Sequence, residues 1–135
     1  MPYKVIDIEG IGPTYAEKLG RIGINTTSDL LQYGGKKSDR VALADKTGIP
    51  ESLILTWVNH ADLMRIKGVA GQISELLEAA GVDSVKEFAT RNAENLHVKL
   101  QDVNEKFGLS GRVPAIDTLK EMIAEAKTLS AAVSH

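Results

Sequence analysis

Gly10 and Gly12 flank Ile11 just ahead of a helical pattern that opens at Pro13. Glycine lets the backbone turn tightly and approach a ligand closely. The start of a helix leaves N–H groups unpaired and carries a partial positive charge. Together these features bind phosphate oxygens through backbone amides, without reading base sequence. Lys18 and Arg21 fall on the following helix and add charge; Lys36, Lys37 and Arg40 form a second basic group, diluted by Asp39 and Asp45. The same two glycines also suit a tight turn that only packs helices together, so phosphate contact and packing are competing roles.

Other chemistry is thinly represented. There is no cysteine, which removes disulfides, thiolate catalysis and cysteine-ligated metals. Gly35-Lys36 is followed by Lys37, and Leu30 stands where the first glycine of a Walker loop belongs. Neither G-x-S-x-G nor H-E-x-x-H occurs. Gly10 and Gly12 lack the third glycine and the strand–helix setting of a dinucleotide site. His60 and Asp62 stand two residues apart, so one helix face cannot present both to a metal; a capping or inter-repeat hydrogen bond suits His60 better. Lys18 is not expected to serve as a Schiff-base nucleophile. The chain is read as non-enzymatic.

The elements that would position the glycine pair come from an internal repeat. Residues 8–31 align without a gap on residues 66–89, with 5 of 24 positions identical: Ile8/Ile66, Gly10/Gly68, Glu17/Glu75, Leu19/Leu77 and Gly23/Gly81. Weaker similarity continues from 43–49 to 103–109 and from 57–63 to 122–128. The expected division is a first repeat over 1–65 and a second over 66–135, in one shared globular unit. Helical periodicity dominates both. Helices are expected after Pro13, over 28–33 and 38–46, from Pro50 onward, and near 71–80, 84–91, 94–107 and 114–130. Residues 3–8 are short and could be extended. The fold class is all-α. Leu19, Ile22, Leu30, Trp57, Leu77, Val82 and Phe88 are expected in the core. Trp57 shares its helix face with Leu53, Ile54, Val58 and Ala61, so it should be buried and not stacked on a base.

The second copy is the poorer phosphate binder. Ala70 replaces the second glycine and Gln72 takes the place of Thr14. Residues 1–67 carry 9 Lys/Arg against 8 Asp/Glu, and residues 68–135 carry 7 against 10. The chain as a whole has a net charge of −2, so affinity for a polyanion should be weak. With 4% aromatic residues, an open base-stacking surface is not expected. No apolar run reaches the roughly 18 residues that span a bilayer, and the start shows no apolar signal core. The expectation is a cytoplasmic protein that makes no membrane contact.

The segment IEGIGPTYAEKL (8–19) resembles the helix-hairpin-helix motif. Its continuation GINTTSDLL (23–31) is similar to the segment after this hairpin in archaeal recombinase N-terminal domains and transcription elongation factors. With WVNHADLMRIKGV (57–69), the whole chain resembles an uncharacterised prokaryotic family of tandem hairpins, a domain of unknown function. The resemblance implies two tandem helix-hairpin-helix repeats. It implies that the amides of Gly10, Gly12 and Thr14, in the hairpin around Ile11, meet a DNA backbone phosphate. It also implies a monovalent cation on the carbonyls of Ile6, Ile8 and Ile11, and no other cofactor. The expected function is sequence-independent DNA binding through Gly10, Ile11, Gly12, Thr14, Lys18 and Arg21. The alternative is a protein–protein adaptor in which the paired units form a rigid scaffold for a protein partner.

Overall fold

The computed structural model describes residues 3–135, and in them the chain is all-helical. A short 3-10 turn, Val5–Asp7, precedes eight helices. These are α1 (Pro13–Arg21), α2 (Thr27–Gly34), α3 (Lys37–Thr47), α4 (Glu51–Leu63), α5 (Gly71–Ala79), α6 (Val85–Phe88), α7 (Ala93–Phe107) and α8 (Ile116–Ala126). The opening segment is not a strand. Lys4 makes one isolated antiparallel bridge with Thr26 before the chain turns.

Local sequence explains most boundaries. Thr26 and Asp29 form a reciprocal capping box at α2, with both bonds at 3.1 Å. Ser84 caps α6 through the Glu87 amide, and Asn92 caps α7 through the Asn95 amide. Gly48 and Gly108, both left-handed, end α3 and α7. Two helices are shorter than their patterns suggested. α6 closes at Phe88 because the next amides, of Thr90 and Arg91, turn back to carbonyls three residues earlier. α8 closes at Ala126, and the segment beyond it crosses to the first half of the chain.

Backbone geometry recurs along the chain. Gly10 and Gly68 have φ of 92° and 89°, and Gly23 and Gly81 have φ of 86° and 92°. Ile11 N–H donates to Ile8, as Val69 N–H donates to Ile66. Ile24 N–H donates to Leu19, as Val82 N–H donates to Leu77. The site a β-carbon would take at Gly10 faces the Trp57 indole nitrogen at 3.9 Å, and that at Gly68 faces Met122 at 3.2 Å.

One hydrophobic cluster runs through the molecule. α4 is its axis, packing on α2, α3 and α5, while α7 packs on α5 and α8. Leu19, Leu30, Trp57, Leu77, Val82 and Phe88 are buried as expected. Tyr15 meets the Trp57 ring edge-on at 5.0 Å between centroids.

Two side chains break the periodic reading. Ile22 is 38% exposed. It stands just past the last turn of α1, with φ −107° and ψ 15°, so the helical period no longer aims it inward. It lines a shallow groove with Ile24, Tyr33 and Leu43. Arg40, expected in a surface basic group, is 1% exposed. Its guanidinium faces the C-terminal end of α2, where carbonyls lack helical partners, and donates to Gly34 and Gly35 at 3.0 Å each.

Candidate functional site

The first glycine hairpin is anchored from below and open from above. Ile8 and Ile11 are buried, and the Ile11 amide closes the turn on the Ile8 carbonyl at 3.1 Å. This turn puts Gly10 at positive φ, a conformation that L side chains rarely adopt. Gly12 is different. Its φ of −89° and ψ of −179° are extended backbone that any residue adopts, and a β-carbon there would meet nothing within 4 Å. Gly12 is the N-cap of α1, Pro13 is its first helical residue, and Thr14 follows, exposed. Among the described residues, the N–H groups of Gly10, Gly12 and Thr14 donate to no acceptor.

Charge around this turn is mixed. Lys18 is exposed on α1. Arg21, also exposed, pairs with Glu17 at 2.6 Å, and that partner offsets part of its attraction for an anion. Asp7 and Glu9 bracket Ile8; the Asp7 carboxylate accepts from the Lys4 amide at 3.0 Å. These two acids adjoin the hairpin in the sequence and set negative charge beside it. Of the three carbonyls named for a cation, that of Ile8 already accepts the Ile11 amide. Among the described residues, no three His, Asp or Glu side chains gather as a metal site.

In the second half Gly68, Ala70 and Gln72 are exposed, and Gly71, the counterpart of Pro13, is buried. A β-carbon at Gly71, the first residue of α5, would run into the Asp7 carbonyl oxygen. Asp7, Glu9, Gly71 and Gln72 line one pocket there. Leu76 and Ala79 stand where the first half has Lys18 and Arg21. Burial pushes the Glu75 carboxyl up, and the nearby Glu9 charge adds to this. Acids and the first half of the chain therefore lie against one side of this end of α5.

His60 and Asp62 part from one another, as their spacing requires. His60 Nδ1 lies 3.2 Å from the Ser74 hydroxyl, and its Nε2 lies 2.9 Å from Glu78. The Ser74 hydroxyl donates to the Gly71 carbonyl at 2.9 Å. With that proton committed, the Ser74 oxygen is left to accept from the His60 ring. Ser74 is fully buried, so the trio joins α4 to α5 and offers no nucleophile. Asp62 accepts the Val85 amide at the start of α6 and the Arg65 guanidinium, both at 2.8 Å. Among the described residues, no helix is long and apolar enough to cross a membrane.

A family model described as a domain of unknown function (DUF4332) matches residues 9–129. A 59-residue stretch is 39% identical to part of the poly(3-hydroxyalkanoate) polymerase subunit PhaC of Haloarcula marismortui. That stretch covers 44% of this chain and 11% of that protein. No solved structure matches the chain.

Proposed function

The chain belongs to the DUF4332 family, a domain of unknown function, and we propose that it is a non-enzymatic module that grips the phosphate backbone of duplex DNA. In this reading the chain is a tandem pair of helix-hairpin-helix units, residues 1–65 and 66–135, acting in the cytoplasm. Only the first hairpin touches nucleic acid. The observation that supports it is that basic side chains follow the first turn alone, since Lys18 and Arg21 align with Leu76 and Ala79. Around Gly12 three N–H groups stand without partners and a β-carbon would find open space. At the second turn the amides of Gly68, Ala70 and Gln72 are unpaired as well, and the Asp7 carbonyl lies against Gly71, the counterpart of Pro13.

Backbone amides at a helix start bind phosphate whatever the base sequence. Gly10, Gly12 and Thr14 supply them, Ile11 holds the turn, and Lys18 and Arg21 add charge. The carbonyls of Ile6, Ile8 and Ile11 are the proposed seat of a monovalent cation. Few phosphate contacts and a net charge of −2 give weak affinity with a shallow salt slope. The test is a titration of labelled duplex at low and physiological salt with wild type, Gly12→Val and Ala70→Val. Gly12→Val should weaken binding several-fold while Ala70→Val leaves it unchanged. Absence of wild-type binding at low salt would overturn the reading.

A second reading is a protein–protein adaptor. A 59-residue match, about the size of one proposed unit, lies within a much longer protein named as an enzyme subunit. That placement favours a reusable packing module. The acids at Asp7, Glu9 and Glu75 suit a protein partner better than a polyanion.

A further inference from the structure

Lys120, Ile123, Ala124 and Lys127 follow one line along α8 and its C-cap, because residues three and four apart are neighbours on a helix. Arg91, Lys120 and Lys127 line a cavity of about 350 Å³ together with Ile123 and Ala124. Lys127 and Lys86 line the next, of about 250 Å³, together with Ala89 and Leu129. Lys127 is common to both, so the two form one groove where α6 packs on α8. Four of the 7 Lys and Arg in residues 68–135 stand on this groove, although that half carries 10 Asp and Glu. The folded chain therefore gathers a local excess of positive charge that the composition of the half conceals.

The four cations differ in how far the fold uses them. Arg91 is committed, since it reaches Glu87 at 3.0 Å and donates to the Gly81 carbonyl at 3.0 Å. Lys120 meets Glu94 at 3.3 Å, with both side chains more than half exposed. A surface pair of this kind is worth little and exchanges readily for another carboxylate. Lys86 and Lys127 are exposed and form no ion pair among the described residues. The groove thus offers three lysines to an incoming anion beside apolar side chains. A sugar–phosphate backbone would meet Glu87 and Glu94 among those cations and would leave Ile123 and Leu129 without an apolar partner.

We propose that this groove docks an acidic segment of a protein partner, in which Asp or Glu alternates with small apolar residues. Its carboxylates pair with Lys86, Lys120 and Lys127, and its apolar side chains cover Ile123, Ala124 and Leu129. Charge complementarity identifies the occupant, because opposite potentials steer association and exclude wrongly charged partners. The proposal rests on the adaptor reading and gives it a surface and a partner chemistry. It does not rest on DNA binding, and no residue of the first hairpin lines the groove.

Fluorescence anisotropy tests it, with the full-length chain titrated onto a labelled peptide in which Glu-Ala-Leu-Glu is repeated three times. The wild type should bind saturably at low salt. Lys86→Glu combined with Lys127→Glu should weaken binding roughly ten-fold. Lys99→Glu combined with Lys106→Glu makes the same change in net charge away from the groove and should weaken it far less. All four lysines are exposed, so every variant should keep the wild-type circular dichroism. Equal losses from the two pairs would reduce the effect to net charge and overturn the proposal. Duplex DNA that displaces the peptide, and whose own binding is lost with Lys86 and Lys127, would assign the groove to nucleic acid and overturn it too. Binding only of the peptide with lysine in place of glutamate, weakened by Glu9→Lys, would sink the proposal and leave the adaptor reading standing on the acidic side. Binding of neither peptide would sink both.

Discussion

Gly10 and Gly12 look alike in sequence and differ in what they do. Gly10 holds φ at 92° above the Trp57 indole, so Gly10→Ala should cost about 1–2 kcal/mol, the penalty of a left-handed L residue. Gly12 has ordinary extended backbone and open space, so Gly12→Ala should change stability by a few tenths of a kcal/mol at most. Chemical denaturation of both variants checks the pair. Comparable losses would mean that the turn geometry is misassigned. Trp57 is 1% exposed and takes Tyr15 edge-on. Trp57→Ala should therefore cost about 3–5 kcal/mol. Asn59 is buried with its Oδ1 atom unpartnered among the described residues. Asn59→Leu should raise the melting temperature, because an unsatisfied buried acceptor costs about 1–3 kcal/mol; a lower melting temperature would show that the amide is needed.

At the scale of the element, caps and junctions carry opposite pH dependences. Asp29 accepts the backbone amides of Asn25 and Thr26, which hold its carboxyl below the ordinary value. A depressed folded pKa contributes stability above the unfolded pKa and loses it as pH falls through the folded one. Asp29→Asn should therefore flatten the acid limb of the stability profile. Glu75 has the reverse sign. Burial first, then the Glu9 charge, raise its folded pKa. Its contribution is fully present below the ordinary glutamate value and is lost as pH rises through the raised value. Glu75→Gln should accordingly melt higher than wild type at neutral pH. The difference should shrink toward acid pH, and thermal melts at several pH values check both signs.

At the scale of the whole molecule, ties cross the halfway point of the chain. A single hydrophobic cluster includes residues of α1 to α8. His60 joins Ser74 and Glu78 across α4 and α5, and Arg40 holds a carbonyl 94 residues away. Halves of this size would be marginal alone. Trp57 fluorescence and far-ultraviolet circular dichroism should therefore report one coincident transition. Two separated transitions would show that the halves are independent. Arg40→Met should lower that transition by at least about 1.5–3 kcal/mol, the worth of one charged hydrogen bond.

The elements and the glycine turn were legible from the sequence, and the side-chain environments were not. Pro13, the Thr26 and Asp29 pair, Ser84, Asn92, Gly48 and Gly108 set helix ends because caps act over three or four residues. Apolar spacing placed Leu19, Leu30, Trp57, Leu77, Val82 and Phe88 in the core for the same local reason. Spacing could not show that Ile22 leaves the helix before its turn to be buried, nor that Arg40 serves carbonyls of Gly34, Gly35 and Ser134. The contrast between the two hairpins was half visible, in Ala70 for Gly12 and Leu76 for Lys18. Only tertiary structure decided that the Asp7 carbonyl lies against Gly71, the counterpart of Pro13. Chain pattern fixes which way a side chain leaves its own helix, but burial and charge pairing depend on partners from distant segments, and no local period encodes them.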